Sequence, residues 1–164
     1  MASITRISRK SSSRRRQSGA AAIEFAMLFM LFFTLFYALV TYAILFLLQS
    51  SFVFAASEGA RAAIAVDPMA YGSSAQYASE GIASRVRHTV GNALTWLPQG
   101  VREHVLGAGN SKVVVDVVGS SLTVRVVYPN YNNNPVIPIL NIPGYGPMLP
   151  MPLDLQGNAR INLV

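Results

Sequence analysis

An uninterrupted apolar run covers residues 25–48, which include no charged side chain. As a helix this run would span about 36 Å, enough to cross a hydrocarbon core of about 30 Å. A cleaved secretory signal is the alternative, but its apolar part is usually only about 7–15 residues long. No proline occurs between Ala20 and Asp67, so the pattern predicts one helix over about 47 residues that Pro68 brings to an end.

The outer part of this helix is rich in small residues. Ala55, Gly59 and Ala63 recur every four positions, which places them on one helix face. Such a face lets another helix approach closely, and we therefore interpret it as a packing surface that could bundle. The alternative is that the alanines only reflect helix propensity. Glu58 and Arg61 are spaced to form a pair on the helix surface.

Beyond Pro68 the hydrophobic pattern changes twice. Residues 75–97 are predicted to form an amphipathic helix that Pro98 terminates. Its apolar stripe consists of Ala78, Ile82, Val86, Val90 and Leu94.

Alternating valines after residue 112 predict a β-hairpin with a two-residue turn at Gly119 and Ser120. This turn would place Val117 opposite Leu122 and Val115 opposite Val124, and the apolar face would end with Val113 opposite Val126. The segment "NARINLV", residues 158–164, alternates in the same way and predicts a third strand.

The fold class that follows is α+β. We expect a long N-terminal transmembrane helix extending outward, and then a small domain with one amphipathic helix on a three-stranded antiparallel sheet. The predicted division of the chain is a basic cytoplasmic leader at 1–19, the transmembrane and extended helix at 20–66, and an outer domain at 67–164.

A segment rich in proline and asparagine, residues 129–154, separates the hairpin from the third strand. It contains seven of the nine prolines together with several apolar residues. A loop of this length is usually functional or disordered, and its hydrophobicity argues against disorder. Two interpretations remain open, namely an exposed arm that meets a partner or the membrane, and a loop that covers its own sheet.

The formal net charge of +6 lies entirely in the leader. Residues 1–19 hold six basic side chains and no acid, whereas one basic residue, Arg61, occurs in the twenty positions after the span. Through Arg14, Arg15 and Arg16 in particular, this asymmetry predicts a cytoplasmic N-terminus and a periplasmic outer domain. A basic tail can also bind nucleic acid or anionic lipid, but before a membrane span its expected role is topology, so no nucleic-acid partner is predicted.

The sequence shows no catalytic pattern. Its two histidines, His88 and His104, are sixteen positions apart, and cysteine is absent. Neither a zinc-protease helix motif nor a nucleophile elbow nor a phosphate-binding loop is present. Glu103 and His104 are interpreted as surface residues of a glycine-rich loop. We therefore predict a protein that is not an enzyme and that uses no metal and no cofactor.

The segment "SGAAAIEF" resembles the processing site of type IV pilin-like proteins, in which a glycine ends a short basic leader and glutamate is the fifth residue of the mature chain. Within that group, "RRRQSGAAAIEFAM" and "AASEGARAA" are similar to the TadE-like pseudopilins of the Flp/Tad tight-adherence pilus system. The resemblance covers about residues 14–66. The asparagine-rich "NYNNNP" departs from the family pattern.

The resemblance implies a role for each residue at this site. A prepilin peptidase would cut between Gly19 and Ala20, and Glu24, followed by Phe25, would pair with the N-terminal amine of a neighbouring subunit. The alternative for Glu24 is that it lies in the headgroup layer near the leader arginines.

The implied function is that of a minor pseudopilin or assembly factor of a Tad-type adhesive pilus in the bacterial inner membrane, or at the cell surface within the pilus, with a part in cell adhesion and biofilm formation. Its partners would be the peptidase, other Tad pilins and pseudopilins, and the inner membrane. The runner-up is an unprocessed single-pass scaffold of an envelope secretion complex.

Overall fold

The computed structural model describes residues 17–142, 144 and 146–163. Its first element is helix α1, Gln17–Ile64, which has 48 residues. The part Gly19–Ile64 is long and apolar enough to cross a membrane. A stretch of 18 residues within it has a mean hydropathy of 2.3, and 17% of that stretch is buried within the chain. The predicted long helix is confirmed, whereas the leader up to residue 16, with Arg14, Arg15 and Arg16, lies outside the described residues.

Contacts divide the chain into two compact units, of which the first ends at Val40 and the second is Thr41–Val164. In the first unit the described residues form only helix, and most of their large apolar side chains are exposed. Phenylalanines four positions apart stack along this helix, with ring centroids 6.1 Å apart for Phe25 and Phe29 and 6.2 Å for Phe29 and Phe33. This is the i, i+4 neighbourhood of a helix surface.

In the second unit, a short 3₁₀ turn at Pro68–Ala70 follows α1, and Asp67 caps it by accepting a hydrogen bond from the Met69 N–H at 2.9 Å. Three consecutive helical segments come next: α2 at Ser74–Gln76, a π-helix at Tyr77–Ile82 and α3 at Ala83–Ala93.

These segments confirm the predicted amphipathic helix, but they include a π-helix and end at Ala93, before the predicted end at residue 97. Four members of the predicted stripe, Ile82, Val86, Val90 and Leu94, are fully buried. Because their spacing of four keeps them on one face, they pack together into the core.

A further helix, α4 at Gln99–Leu106, was not predicted. The interpretation of Glu103 and His104 as loop residues is wrong, because both lie on this helix. Pro98 ends the preceding turn and is also the N-cap residue of α4, with φ −53° and ψ 143°. Proline is tolerated at a helix start because the first N–H groups have no intrahelical partner, so the residue that stops one helix can begin the next.

The main sheet is antiparallel with the order β1-β2-β5, formed by Val114–Val118, Ser121–Tyr128 and Leu155–Asn162. The predicted register is confirmed, with Val117 opposite Leu122 and Val115 opposite Val124. Gly119 supplies the positive φ, 58°, that the two-residue turn requires. The third strand is also confirmed and begins at Leu155, before the predicted segment.

The outer half of α1 forms part of the core of the second unit. Phe52, Ala55, Ala56, Ala60 and Ala63 are fully buried. On strand β5, Gly157 faces this helix so closely that a Cβ atom there would overlap the backbone of Phe52 and Val53. The absence of a side chain at Gly157 therefore allows the strand and helix backbones to approach each other directly.

The segment 129–154 is anchored at both of its ends. The Tyr131 N–H donates to the Leu153 carbonyl at 2.7 Å, and the Asn130 N–H donates to Asp154 Oδ1 at 2.9 Å. Between these anchors, β3 at Asn141–Ile142 pairs with β4 at Gly146–Pro147 in a separate two-stranded sheet.

Candidate processing and assembly site

The Gly19–Ala20 peptide bond lies in the first turn of α1. The first four N–H groups of a helix have no intrahelical acceptor, and helix ends fray more readily than helix interiors. Gly19 is exposed, and a Cβ atom built on it would meet no atom of the described part of the chain within 4 Å. This bond is therefore sterically open in the part of the helix that unwinds most easily.

Glu24 lies four positions after Ala20, so the two residues share one face of the helix. Both are exposed. Within the described part of the chain, the recorded ion pair is that of Arg61 with Glu58, 3.2 Å apart, and no described cation lies at ion-pair distance from Glu24. The carboxylate is thus presented on the surface with no counterion from residues 17–142.

The surface around Glu24 is strongly apolar. Phe25 is 70% exposed and stacks on Phe29. Farther along, a shallow groove is lined by Met27, Met30, Leu31, Thr34, Leu35 and Ala38. The Thr34 hydroxyl donates to the Met30 carbonyl at 2.8 Å, so this polar group is satisfied within the helix. A lone carboxylate at one end of such a surface fits the edge of a bilayer better than its interior.

The packing residues Ala55, Gly59 and Ala63 lie in the second unit, where all three are buried. A Cβ atom at Gly59 would come within 2.8 Å of Val90 Cγ2 and 3.1 Å of Val86 Cγ1, both on α3. The small-residue face is therefore occupied by a helix of the same chain. Its use in bundling with another subunit stays a prediction.

A buried aromatic cluster beside α4 was not found from the sequence. The rings of Tyr128 and Tyr131 meet edge to face at 5.2 Å, and His104 lies 5.2 Å from Tyr128 on another side. The Tyr128 hydroxyl donates to the Asn134 carbonyl, and the His104 Nε2 lies 3.1 Å from the Pro129 carbonyl oxygen.

Burial raises the pKa of the Tyr128 phenol above its ordinary value of 10.0, and the neighbouring Tyr131 contributes in the same direction. The cluster therefore anchors the beginning of the Pro-rich segment, and its Tyr128 phenol is hydrogen-bonded in its neutral form.

One sequence signal could have revealed the contact between β5 and α1. Gly157 stands inside an alternating strand pattern, and an isolated glycine in a strand often marks a place where another backbone comes close. For the aromatic cluster the sequence offers no comparable signal, because its members come from separate elements.

Comparison with known families matches residues 19–61 to the model of the TadE-like protein family. This stretch, about a quarter of the chain, is similar to that family. The TadE-like segment begins at Gly19, contains Glu24 and Gly59, and ends before the α3 helix and the sheet. No curated protein and no solved structure matches the chain.

The single long apolar helix at Gly19–Ile64 suggests a single-pass membrane protein.

Proposed function

We propose that this protein is a minor pseudopilin or assembly factor of a Tad-type adhesive pilus, anchored in the bacterial inner membrane. The observation that carries the proposal is the start of the TadE-like segment at Gly19, on a helix end that the described chain leaves uncovered. The protein acts through assembly, as a substrate of a prepilin peptidase and not as a catalyst.

Processing takes place at the Gly19–Ala20 bond. The exposed first turn of α1 supports this step, because a peptidase needs its substrate backbone unwound and the first turn has the fewest internal hydrogen bonds. The absence of a side chain at Gly19 keeps the bond accessible. After cleavage, the new amine of Ala20 and the carboxylate of Glu24 lie one helical turn apart.

Glu24 drives the association of subunits. A carboxylate in the apolar part of a bilayer is unfavourable unless it is paired, by about 2.5–3.5 kcal/mol at the bilayer centre and by less toward the edge. The positive N-terminus of a neighbouring subunit provides the counterion, so the cost is removed when subunits meet. Phe25 and the apolar groove behind it supply the surface along which the helices contact each other.

The membrane topology follows from the distribution of basic residues on either side of the apolar helix. Arg14, Arg15 and Arg16 hold the leader, residues 1–19, on the cytoplasmic side, and residues 20–66 carry the chain across the membrane. Residues 67–164, with the arm at 129–154, then lie in the periplasm or on the cell surface. Adhesion and biofilm formation are the expected outputs of such a pilus.

The decisive experiment is to determine the N-terminus of the protein purified from membranes by mass spectrometry. We expect the mature chain to begin at Ala20. Gly19→Ala should slow removal of the leader and Gly19→Leu should block it. Because no atom of the described residues lies within 4 Å of the Gly19 Cβ position, a folding defect is not expected to obscure the result.

Gly100→Ala is the matched control, since a Cβ atom there also meets open space while the position lies far along the chain on α4. This variant should be processed normally. If the wild-type protein keeps Met1 in cells with an active prepilin peptidase, the proposal fails, and the unprocessed single-pass scaffold becomes the better explanation.

A further inference from the structure

Strand β1 has an open edge. In the order β1-β2-β5, its neighbour among the described strands is β2, on one side. A two-residue turn connects the two strands, with Val118 and Ser121 as the closing pair. In such a hairpin the closing pair exchanges backbone hydrogen bonds, and every second pair after it does the same. The N–H and C=O groups of Val115 and Val117 therefore point away from β2.

The first part of this edge is already in use. The Val113 N–H donates to the Asn110 carbonyl at 3.2 Å, and the Val113 carbonyl accepts from Arg87 Nε at 3.5 Å. Val115 and Val117 have no such recorded partner on the open side within the described chain. The free hydrogen-bonding groups are thus confined to two residues, which is the length of edge that a short extended peptide can pair with.

A groove of about 270 Å³ runs beside these two residues. On its helical side it is lined by Ala78, Ser79, Ala83 and Arg87, and on its strand side by Val115 and Val117. Both valines are only half-buried, whereas Leu122 and Val124, opposite them on β2, are fully buried. The helical wall is made mostly of small side chains, so the groove has room for the apolar side chains of an added strand.

The other face of β1 is apolar apart from one charge. Val114 is 39% exposed and Val118 is 77% exposed, with the exposed Asp116 between them. Natural proteins usually protect an exposed hydrophobic edge with charged side chains or cover it. On this strand one carboxylate provides that protection, and its position restricts what can bind.

A second copy of the chain fits this edge poorly. To pair the free groups of Val115 and Val117 with the same groups of another copy, two β1 strands must run antiparallel with Asp116 at the centre. The two Asp116 carboxylates would then stand directly opposite each other. Like charges in that position are destabilising, so Asp116 disfavours self-pairing and favours a strand with a basic residue at the same place.

We infer that the β1 edge is a docking site for an extended segment of another polypeptide, which joins the sheet as an additional antiparallel strand. Small apolar side chains of this segment, opposite Val115 and Val117, fill the groove. A lysine or arginine lies opposite Asp116. Backbone hydrogen bonds provide the affinity and the side-chain pattern provides the specificity, as in other cases of strand addition. This inference does not depend on whether the leader is cleaved.

The charge requirement can be tested with the full-length protein in detergent micelles and two fluorescent peptides. The first is Ser-Thr-Val-Lys-Val-Thr-Ser, and the second has glutamate in place of lysine. By fluorescence anisotropy, the lysine peptide should bind about twofold to tenfold more tightly than the glutamate peptide. Asp116→Lys should reverse this preference, because the charge on the exposed face is then inverted.

The groove is tested separately with a matched pair of substitutions on the adjoining helices. Ser79 lines the groove, and Ser84 is an exposed serine that lines a different cavity. Ser79→Tyr should abolish binding of the lysine peptide because the ring fills the groove. Ser84→Tyr should leave the affinity unchanged. Backbone amide exchange, followed by NMR, should show that bound peptide protects the Val115 and Val117 amides.

Three results would overturn the inference. One is equal affinity for the two peptides, or no binding of either. The second is binding of the lysine peptide without added protection at Val115 and Val117. The third is a dimer of the wild-type chain together with disulfide crosslinking of a Val114→Cys, Val118→Cys double variant, because these two positions of different copies face each other in that antiparallel pairing and the crosslink would show that a second copy occupies the edge.

Discussion

At the scale of single residues, Gly157 occupies a position that leaves no room for a side chain. A Cβ atom on this strand residue would overlap the backbone of Phe52 and Val53 on α1. Backbone atoms cannot turn aside as a side chain can, so helix and strand would have to separate. Gly157→Ala should therefore lower the free energy of unfolding by about 3 kcal/mol or more.

Urea denaturation of the purified full-length protein, followed by circular dichroism, measures this effect. Gly100→Ala serves as the control, because its Cβ meets open space on α4 and alanine favours helix. That change should stabilise the protein by at most about 1 kcal/mol. Equal stability of the two variants would contradict the close packing of β5 on α1.

The Tyr128 phenol should make the free energy of unfolding depend on pH. Its pKa is raised above 10.0 in the folded protein by burial and by Tyr131, so the fold favours the neutral phenol. The unfolded chain loses this proton first as the pH rises, because its tyrosine pKa stays near 10. The contribution of Tyr128 is therefore complete below about pH 10 and is lost as the pH rises through the folded-state pKa.

Tyr128→Phe should change stability in two ways. Near pH 7 it should cost about 1 kcal/mol, because the hydrogen bond to the Asn134 carbonyl is lost. Above about pH 10 its stability should fall less steeply than that of the wild type, since the titrating group is gone. Urea denaturation gives the free energy of unfolding of both proteins. If it falls equally steeply with pH for both above about pH 10, the raised pKa of Tyr128 does not contribute to stability.

At the scale of elements, strand β2 has one face buried in the core and one face partly exposed to solvent. Val124 is fully buried between β1 and β5, whereas its neighbour Arg125 is exposed. A carboxylate in place of Val124 would lie in the core without a partner. Val124→Asp should destabilise the protein by more than about 4 kcal/mol, while Arg125→Asp should change its stability by less than about 1 kcal/mol. Membrane abundance and limited proteolysis compare the two, and similar losses would contradict the register of the sheet.

The elements were predictable to different degrees. The β1–β2 register follows from the valine alternation and the turn at Gly119, because a slip of one residue would turn the apolar face toward water. Helix α4 was not predictable in the same way, since its eight residues give a short pattern flanked by Pro98 and Gly107. Proline and glycine signals mark both loops and helix ends, and only the packing of Val105 and Leu106 into the core separates these two cases.

At the scale of the whole molecule, Glu24 distinguishes assembly from anchoring. If its carboxylate pairs with the amine of a neighbouring subunit, its contribution arises only when subunits meet. Glu24→Gln should still insert, because the span becomes less charged, and it should still be cleaved after Gly19. Co-isolation with pilus components and surface adhesion should be lost.

One complementation experiment can score cleavage, membrane level and adhesion in the same strain. Glu58→Gln is the control. The Glu58 carboxylate pairs with Arg61 on the surface of the second unit, and such a pair stabilises a helix by only a few tenths of a kcal/mol. Normal adhesion of the Glu24 variant at wild-type levels would argue against pairing and in favour of a fixed scaffold.

The sequence by itself determined the parts of this protein that depend on local pattern. The apolar run and the absence of proline specify one long helix, and the alternation around Gly119 specifies the hairpin. Spacing alone brings Gly19, Ala20 and Glu24 onto the first turns of that helix. These features involve neighbours in the chain, so periodicity and residue type are sufficient to predict them.

Only the tertiary structure decided which elements pack against each of these segments. The small-residue face at Ala55, Gly59 and Ala63 is compatible with many partners, and only the folded chain shows that these residues are buried in its own core, with Gly59 against α3. The same holds for the β1 edge, because a strand pattern does not reveal which side of the strand remains unpaired. Contacts between residues far apart in the chain depend on how all elements pack at once, which the pattern of any one segment does not contain.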